Sequence, residues 1–459
     1  MVMEVEILSK EFIKPASPTP HHLRTHRISF LDQFIPLIYV PMVFFYTNQE
    51  TRIPLTDIVA SNSKRSQLLK ESLSETLTLF YPLAGRIKDC LSIDCNDEGA
   101  YYVEAQVDWS LNEFLRHPDL SVIPELLPAE ASWTAASAGG YVAMIQVTNF
   151  ACGGIVVGTF LSHMIADGPA ATTFLRSWAA VTRKSGEEAA YPNFDASFVF
   201  PQSEAYPKEA TILALFSPFL KTGICWSRRI VFDASAIASL KAKTTSSSVP
   251  DPTRVEAVSA LLCKCLMATF KAKSDFQKPT VINHAVNLRR RAVPPVPKNS
   301  MGNFLCMATA LVTGEETELD DLVCHLRKEI RKADGDFVES LQGEGGLLKF
   351  CEHIHEMMGK ASYGAVGEID FIGFTSWCNF GLYEMNFGWG KPAWVTCTAS
   401  NKSETVFCNT VVLMDTRFGD GIEAWVFLDE QDMATLEQNE ELLAFGSLEA
   451  SPSDVGYSV

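Results

Sequence analysis

The chain has 459 residues, 47% of them hydrophobic, and a net charge of −17. That composition excludes fibrous and disordered classes, and the acidic balance repels phosphodiester backbones, so nucleic acid is not an expected partner. The length exceeds what one ordinary core accommodates, and two domains are expected.

The opening MVMEVEILSKEF is acidic and lacks the basic-then-apolar order of a secretory signal. The apolar stretch FIPLIYVPMVFFY is too short to span a bilayer and is interrupted by Pro36 and Pro41. The closing SDVGYSV matches no retention or lipidation signal. A cytoplasmic protein with no membrane partner is therefore expected. The segment SNSKRSQLLKESLSETLTLF puts Leu68, Leu69, Leu73, Thr76, Leu77 and Phe80 on one helical face, and Pro82 and Gly85 end it. LSIDC and AYYVEAQV read as strands around a turn, and YVAMIQVTNF and IVVGTFLSH as a hairpin across Gly153 and Gly154. PAATTFLRSWAAVTR follows as a helix with Phe174, Leu175, Trp178 and Val181 inward. From Tyr191 to Gly223 the pattern weakens, as an interdomain connection does. Boundaries are accordingly expected at 1–195, 196–223 and 224–459.

In the second half, Thr253 and Glu256 form a capping box ahead of Val255, Val258, Leu261, Leu262, Leu266 and Phe270. Leu319, Leu322, Val323, Leu326 and Ile330 mark another helix. The late run TVFCNTVVLMDTRFGDGIEAWVFLDEQDMATLEQNEELL repeats strand, turn, strand, helix in the order seen over 141–183, a weak internal duplication in which only the first copy carries a histidine. The twelve cysteines are spread along the chain, several in apolar patterns such as LLCKCLM, and read as reduced core thiols. HIHE at 353–356 has the wrong helical spacing for a metal and reads as a solvated face; no metal site is expected.

His163 ends the apolar run IVVGTFLS and precedes a tight turn, a position from which an imidazole with an ordinary pKa near 6.5 can act as a general base. Asp167 can cap the helix that Gly168 and Pro169 begin, so its carboxylate faces backbone or a nearby arginine. His163 is then the sole candidate base; the competing reading is a satisfied core histidine with Asp167 as its neighbouring cap. Ser162 sits one residue earlier on the strand and points to the opposite face, and no G-x-S-x-G elbow occurs, so no acyl-enzyme is expected.

FACGGIVVGTFLSHMIADG, LKESLSETLTLFYPLAGRI, VNLRRR with MGN, TSWCNFGLYEMNFGWG and the early ISFLDQ together resemble the plant BAHD acyltransferase family over nearly the whole chain. The opening segment is most similar to its alkaloid-acetylating branch. The resemblance implies an α/β fold of two chloramphenicol-acetyltransferase-like domains, each a mixed sheet with flanking helices, with a tunnel between them; residues 370–393 are expected to pack with the N-terminal sheet. It implies an acyl-CoA-dependent O-acyltransferase with no tightly bound cofactor, acetyl-CoA as co-substrate, an alkaloid hydroxyl as acceptor, and a monomer. Volatile or other small alcohols are the alternative acceptors, and a non-catalytic relative acting by protein contacts is the alternative outside the enzymes.

By the same resemblance His163 takes the acceptor proton, Thr375 or Trp377 of TSW steadies the carbonyl oxygen, and Asp167 pairs with Arg289 or Arg291 to shape the His163 loop beside Gly168. Ser259, Arg291, Asn303 and Lys264 are the expected coenzyme contacts. The basic run Arg289 to Arg291 reads equally as a solvated loop. Where the family has aspartate, this chain has Asn386, followed by Phe387, Gly388, Trp389 and Gly390. Asparagine keeps hydrogen bonds but loses the charge, so a less compensated cation, reduced rigidity or altered coenzyme affinity is expected.

Overall fold

Strand, turn, strand and helix occur twice in this chain, and each copy lies at the centre of its own sheet. The computed structural model describes residues 3–48, 54, 57–128, 139–184, 190–205, 217–274, 276–314, 318–361, 369–397, 404–448 and 450–452. Part of the expected connection, 206–216, and the closing SDVGYSV lie outside them.

The first sheet runs in the order Glu6–Ile13, Ala100–Val107, Ala143–Phe150, Ile155–Ser162, Tyr39–Tyr46, Trp394–Thr396. The second runs Leu305–Val312, Thr280–Asn287, Asp370–Ser376, Thr410–Asp415, Ile422–Asp429, Lys221–Phe232, Glu404–Phe407. In the first, 100–107 and 143–150 are parallel, and 143–150, 155–162 and 39–46 continue antiparallel. In the second, 370–376 and 410–415 are parallel, and 410–415, 422–429 and 221–232 continue antiparallel. The duplication inferred from element order is thus also one of strand pairing. LSIDC and AYYVEAQV part company: Ser92–Asp94 joins a small sheet with Thr25–Arg27 and Arg86–Ile87, whereas Ala100–Val107 enters the large one. Between them Asp97 adopts φ 59° and is held by Thr19 and Arg24, which redirects the chain.

Strand Ile155–Ser162 is buried at every position, which is why it reads as an unbroken apolar run rather than an alternating one. Helices Ile58–Leu79 and Gly168–Arg183 pack against one another. Leu69, Leu73, Leu77 and Phe80 join Phe174 and Trp178 in one core, and the Trp178 indole donates to the Leu69 carbonyl at 3.1 Å. In the second half, Thr253 and Glu256 form the expected capping box of helix Arg254–Lys271. The Glu256 carboxylate also receives Arg327 of helix Leu319–Arg331 through two donors at 2.7 Å. HIHE departs from its expected solvated role: His353 is half-buried, with Nε2 at 2.8 Å from the Met307 carbonyl and its ring against Phe337.

The halves interlock. Trp394–Thr396, from late in the chain, pairs antiparallel with 43–45 at the edge of the first sheet. Leu382, Phe387 and Trp389 are buried in the first core, and the Tyr46 hydroxyl donates to the Met385 carbonyl at 2.8 Å. Strand Lys221–Phe232 begins inside the stretch expected to be connection.

His284, on strand Thr280–Asn287, stacks on Phe374 with ring centroids 4.6 Å apart, and its Nε2 is buried without a partner. Burial lowers its pKa from 6.5 to about 4, so the folded chain keeps it neutral where the unfolded chain protonates it. Stability contributed by the neutral ring is therefore complete above 6.5 and is lost as pH falls toward 4. His284→Phe, which keeps the stack, is expected to flatten the fall of Tm across that window in thermal melts. His26, also lowered to about 4 by burial, leaves a residual slope.

Candidate active site

The turn after Ile155–Ser162 carries His163, and the backbone fixes it first: its N–H donates to the Ile38 carbonyl at 2.8 Å. The side chain is half-buried, with Nδ1 fully enclosed. Burial lowers the pKa of the ring, and Asp167 and Asn303 oppose that shift. The ring is consequently neutral at neutral pH and able to accept a proton. Ser162 keeps its hydroxyl buried and without a partner.

Asp167 caps helix Gly168–Arg183 by accepting from the Ala170 N–H at 3.1 Å. Its main partner is Arg289, which donates from Nη1 to Oδ2 at 2.5 Å and from Nη2 to Oδ1 at 2.9 Å. The Phe304 N–H adds a further donor at 3.1 Å. Both oxygens are thereby committed to donors. Arg289 reaches on to the carbonyls of Ser300 and Gly302 at 3.0 and 3.1 Å and lies over the Phe304 ring. Gly168 is required for close approach: a Cβ there would lie 2.1 Å from Cε2 of Phe380. Phe380 thus seats the TSW loop against the start of the helix.

Thr375 is the penultimate residue of strand Asp370–Ser376 and Trp377 follows the strand, its backbone N–H donating to the Leu413 carbonyl at 2.7 Å. Both side chains are half-buried, and among the described residues neither the Thr375 hydroxyl nor the Trp377 indole N–H has a protein partner. Trp377 lines a pocket with Leu382, Tyr383, Asp415, Arg417 and Phe418. A larger pocket, around Phe337, His353 and Lys360, lies within the second half, and its Lys332 and Lys360 are paired with Glu329 and Glu356.

The four residues expected at the coenzyme have dissimilar surroundings. Arg291 donates to the carbonyls of Ile330 and Ala333 at 3.0 and 2.7 Å, closing a helix end. Lys264 pairs with Glu441 at 3.0 Å. Asn303 is buried between Asp32 and the His163 carbonyl. Ser259 is buried with its hydroxyl unspent. Of the basic run only Arg290 is exposed, as is Lys298 nearby. Residue-by-residue reading missed Asp32, a buried carboxylate of ISFLDQ whose pKa burial raises to about 6 against the lowering effect of hydrogen bonds from Ser29 and Asn303. Its signal was the Ser29–Asp32 capping box.

The loop in which asparagine replaces the family's aspartate is built around the Asn386 side chain. Its Oδ1 accepts from the N–H groups of Gly388 and Gly390 at 2.8 and 3.2 Å, and those glycines adopt φ 109° and 102°. The turn uses an acceptor rather than a charge, and Arg183 donates to the Asn386 main-chain carbonyl.

The Transferase family profile matches residues 3–443. The chain belongs to this family, the BAHD acyltransferases. A limonoid 7-O-acetyltransferase of Citrus sinensis is 51% identical over 98% of this chain and 100% of its own length. An epi-neemfruitin B 7-O-acetyltransferase of Melia azedarach is 49% identical over 98% and 100%. The crystal structure of vinorine synthase superposes with a TM-score of 0.80 at 33% identity, covering 98% of this chain and 100% of that one. This BAHD chain is therefore an acyltransferase that uses an acyl-CoA donor, built on the two-domain α/β architecture.

Two outcomes follow for this BAHD site. Asp167→Asn leaves the buried Arg289 without its counter-charge and is expected to cost about 3–5 kcal/mol in denaturant unfolding, with Asp167→Asn/Arg289→Met more stable than Asp167→Asn alone. Asn386→Ala is expected to cost about 1 kcal/mol by the same measurement, whereas Asn386→Asp, which keeps the acceptor, stays within about 0.5 kcal/mol of wild type.

Proposed function

We propose that this chain transfers acetyl from acetyl-CoA to a hydroxyl of a limonoid-type polycyclic acceptor, with His163 as general base in a ternary complex. The observation that carries the base assignment is the half-buried His163 imidazole beside a carboxylate whose oxygens are both taken by Arg289 and by the Ala170 and Phe304 N–H groups. His163 takes the acceptor hydroxyl proton as that oxygen bonds to the thioester carbonyl carbon. The C–S bond then breaks, and the proton passes to the departing thiolate, giving the ester and free CoA. The Thr375 hydroxyl or Trp377 indole N–H would steady the oxyanion. Ser259, Arg290 and Lys298 are the side chains best suited to meet the coenzyme, through an unspent hydroxyl and two exposed cations.

An alkaloid acceptor was the expectation from the opening residues. Identities of 51% and 49% to limonoid 7-O-acetyltransferases, against 36% to stemmadenine O-acetyltransferase of Catharanthus roseus, favour the limonoid class. One chain carries every group named, which is compatible with a monomer, and twelve free cysteines suit a reducing, cytoplasmic setting.

Purified protein with acetyl-CoA and a panel containing a 7-hydroxy limonoid, a hydroxylated indole alkaloid and a small alcohol is expected to release CoA and form product fastest with the limonoid. His163→Ala is expected to lower kcat by about 10²–10⁴-fold. Full activity in His163→Ala would refute the base assignment; turnover of the alkaloid alone would refute the acceptor class.

A further inference from the structure

Both main-chain groups of His163 are hydrogen bonded outside its own strand. Its N–H donates to the Ile38 carbonyl at 2.8 Å, and its carbonyl accepts from Asn303 Nδ2 at 2.7 Å. The same Nδ2 donates at 2.8 Å to Oδ1 of Asp32, in the segment that also carries Ile38, so each of its two hydrogens has one oxygen. Asp32 Oδ1 accepts as well from the Asn303 backbone N–H at 2.6 Å. Oδ2 accepts from the Ser29 N–H at 2.8 Å and the Ser29 hydroxyl at 2.7 Å. Among the described residues no cation pairs with this carboxylate, which is buried. Burying an unpaired charge is costly, and the capping box alone does not call for one, since a neutral amide serves at the same position. What calls for it is a place between two sets of donors. An asparagine at 32 would turn its own NH2 either on the Ser29 N–H or on the Asn303 N–H groups, and only a carboxylate presents an acceptor to both.

We propose that Asp32 and Asn303 are positioning residues that seat His163 by its backbone: the carboxylate aims the Asn303 amide, and the amide holds the His163 carbonyl while Ile38 holds the N–H. The inference rests on His163 being the general base. Neither residue touches substrate or moves a proton in this role. With the peptide groups on both sides of its Cα fixed, the imidazole keeps only its own side-chain torsions. Releasing the carbonyl frees the peptide that joins His163 to Met164 and lets the ring drift from the reacting oxygen, and a displacement of about 1 Å costs about 10²-fold in rate. Asp32 comes from the first half and Asn303 from the second, so the base is seated only when the halves are docked. Asn303 thereby has a duty other than the coenzyme contact expected of it, because both amide hydrogens are already used.

Two readouts of the full-length protein test this, one of them independent of turnover. With ¹³C at the histidine carbonyls, the His163 signal is the one lost in His163→Ala. Loss of a hydrogen bond moves a carbonyl carbon upfield, so Asn303→Ala and Asp32→Asn are both expected to move that signal upfield from wild type. In assays with acetyl-CoA and the acceptor of the panel that is turned over fastest, Asn303→Ala is expected to lower kcat on the order of 10²-fold and Asp32→Asn about tenfold, with KM for acetyl-CoA within about threefold of wild type. The double variant is expected to match Asn303→Ala alone within about twofold, because Asp32 acts only through the amide. Asp32→Asn preserves volume and decides the matter where Asn303→Ala fails to fold. A carbonyl signal or a kcat unchanged in either folded variant overturns the proposal, as does a double variant slower than Asn303→Ala by about a further tenfold. A raised KM for acetyl-CoA without a fall in kcat overturns it too and gives Asn303 to the coenzyme. Full activity in His163→Ala would instead remove the base reading, leaving the carbonyl signal to judge the backbone contact by itself.

Discussion

A buried carboxylate and a buried guanidinium, Asp167 and Arg289, bind through two parallel N–H···O bonds, and the surroundings of His163 depend on that pair. Taking both charges out of water costs several kcal/mol per ion, so the pair is weak evidence for stability. Its value is geometric. Asp167 belongs to the turn that carries His163, whereas Arg289 belongs to the second half and also grips the carbonyls of Ser300 and Gly302. That grip sets the 300–304 segment alongside Ala166, with which Gly302 forms a parallel bridge, and so delivers Asn303 to the back of His163. One ion pair therefore fixes two loops from distant parts of the chain in a single register.

The interlock between halves serves the same end by other means. The strand Trp394–Thr396 adds to the first sheet, and the NFGWG turn buries Phe387 and Trp389 against Tyr46 and Trp178. Sliding one half against the other would break ladder hydrogen bonds and pull aromatic rings out of a core, so the interface has little freedom to shear. Phe380 belongs to the loop that leads into these anchors. Its approach to Gly168 at the end of the His163 turn is set by a fixed frame rather than by a loop free to wander.

Elements with strong local signals were legible. The helix over 254–271 announced itself by Thr253 and Glu256, the hairpin over 143–162 by its glycines, and the duplication by element order. Pairing across the halves has no local signal, because it arises from contacts between residues more than a hundred positions apart; the Asp167 pair with Arg289 or Arg291 and the packing of 370–393 on the first sheet are expected from the family resemblance alone. The basic run illustrates this: nothing local distinguishes Arg289, which is buried against Asp167, from Arg291, which closes a helix end, or from exposed Arg290. Asn303, expected at the coenzyme, meets Asp32 and the His163 carbonyl instead, partners that only the fold brings to it. Asp32 spends one oxygen on the local capping box with Ser29 and the other on Asn303 of the second half, a contact with no local signal.

The duplication also indicates where the chemistry came from structurally. In the second copy, strand Ile422–Asp429 passes directly into helix Glu430–Leu436, with Asp429 as cap and Lys221 and Lys273 neutralising it. In the first copy the strand ends at Ser162 and the helix begins at Gly168, so residues 163–167 have no counterpart. Both helices are capped by an aspartate, but only the first is preceded by a turn, and that turn holds both His163 and the cap that binds Arg289. Moving the cap beyond the turn gives its carboxylate two duties, ending a helix and reaching the other half. The histidine is left between the strand end and the cap, backed by the second half and still partly open at its front.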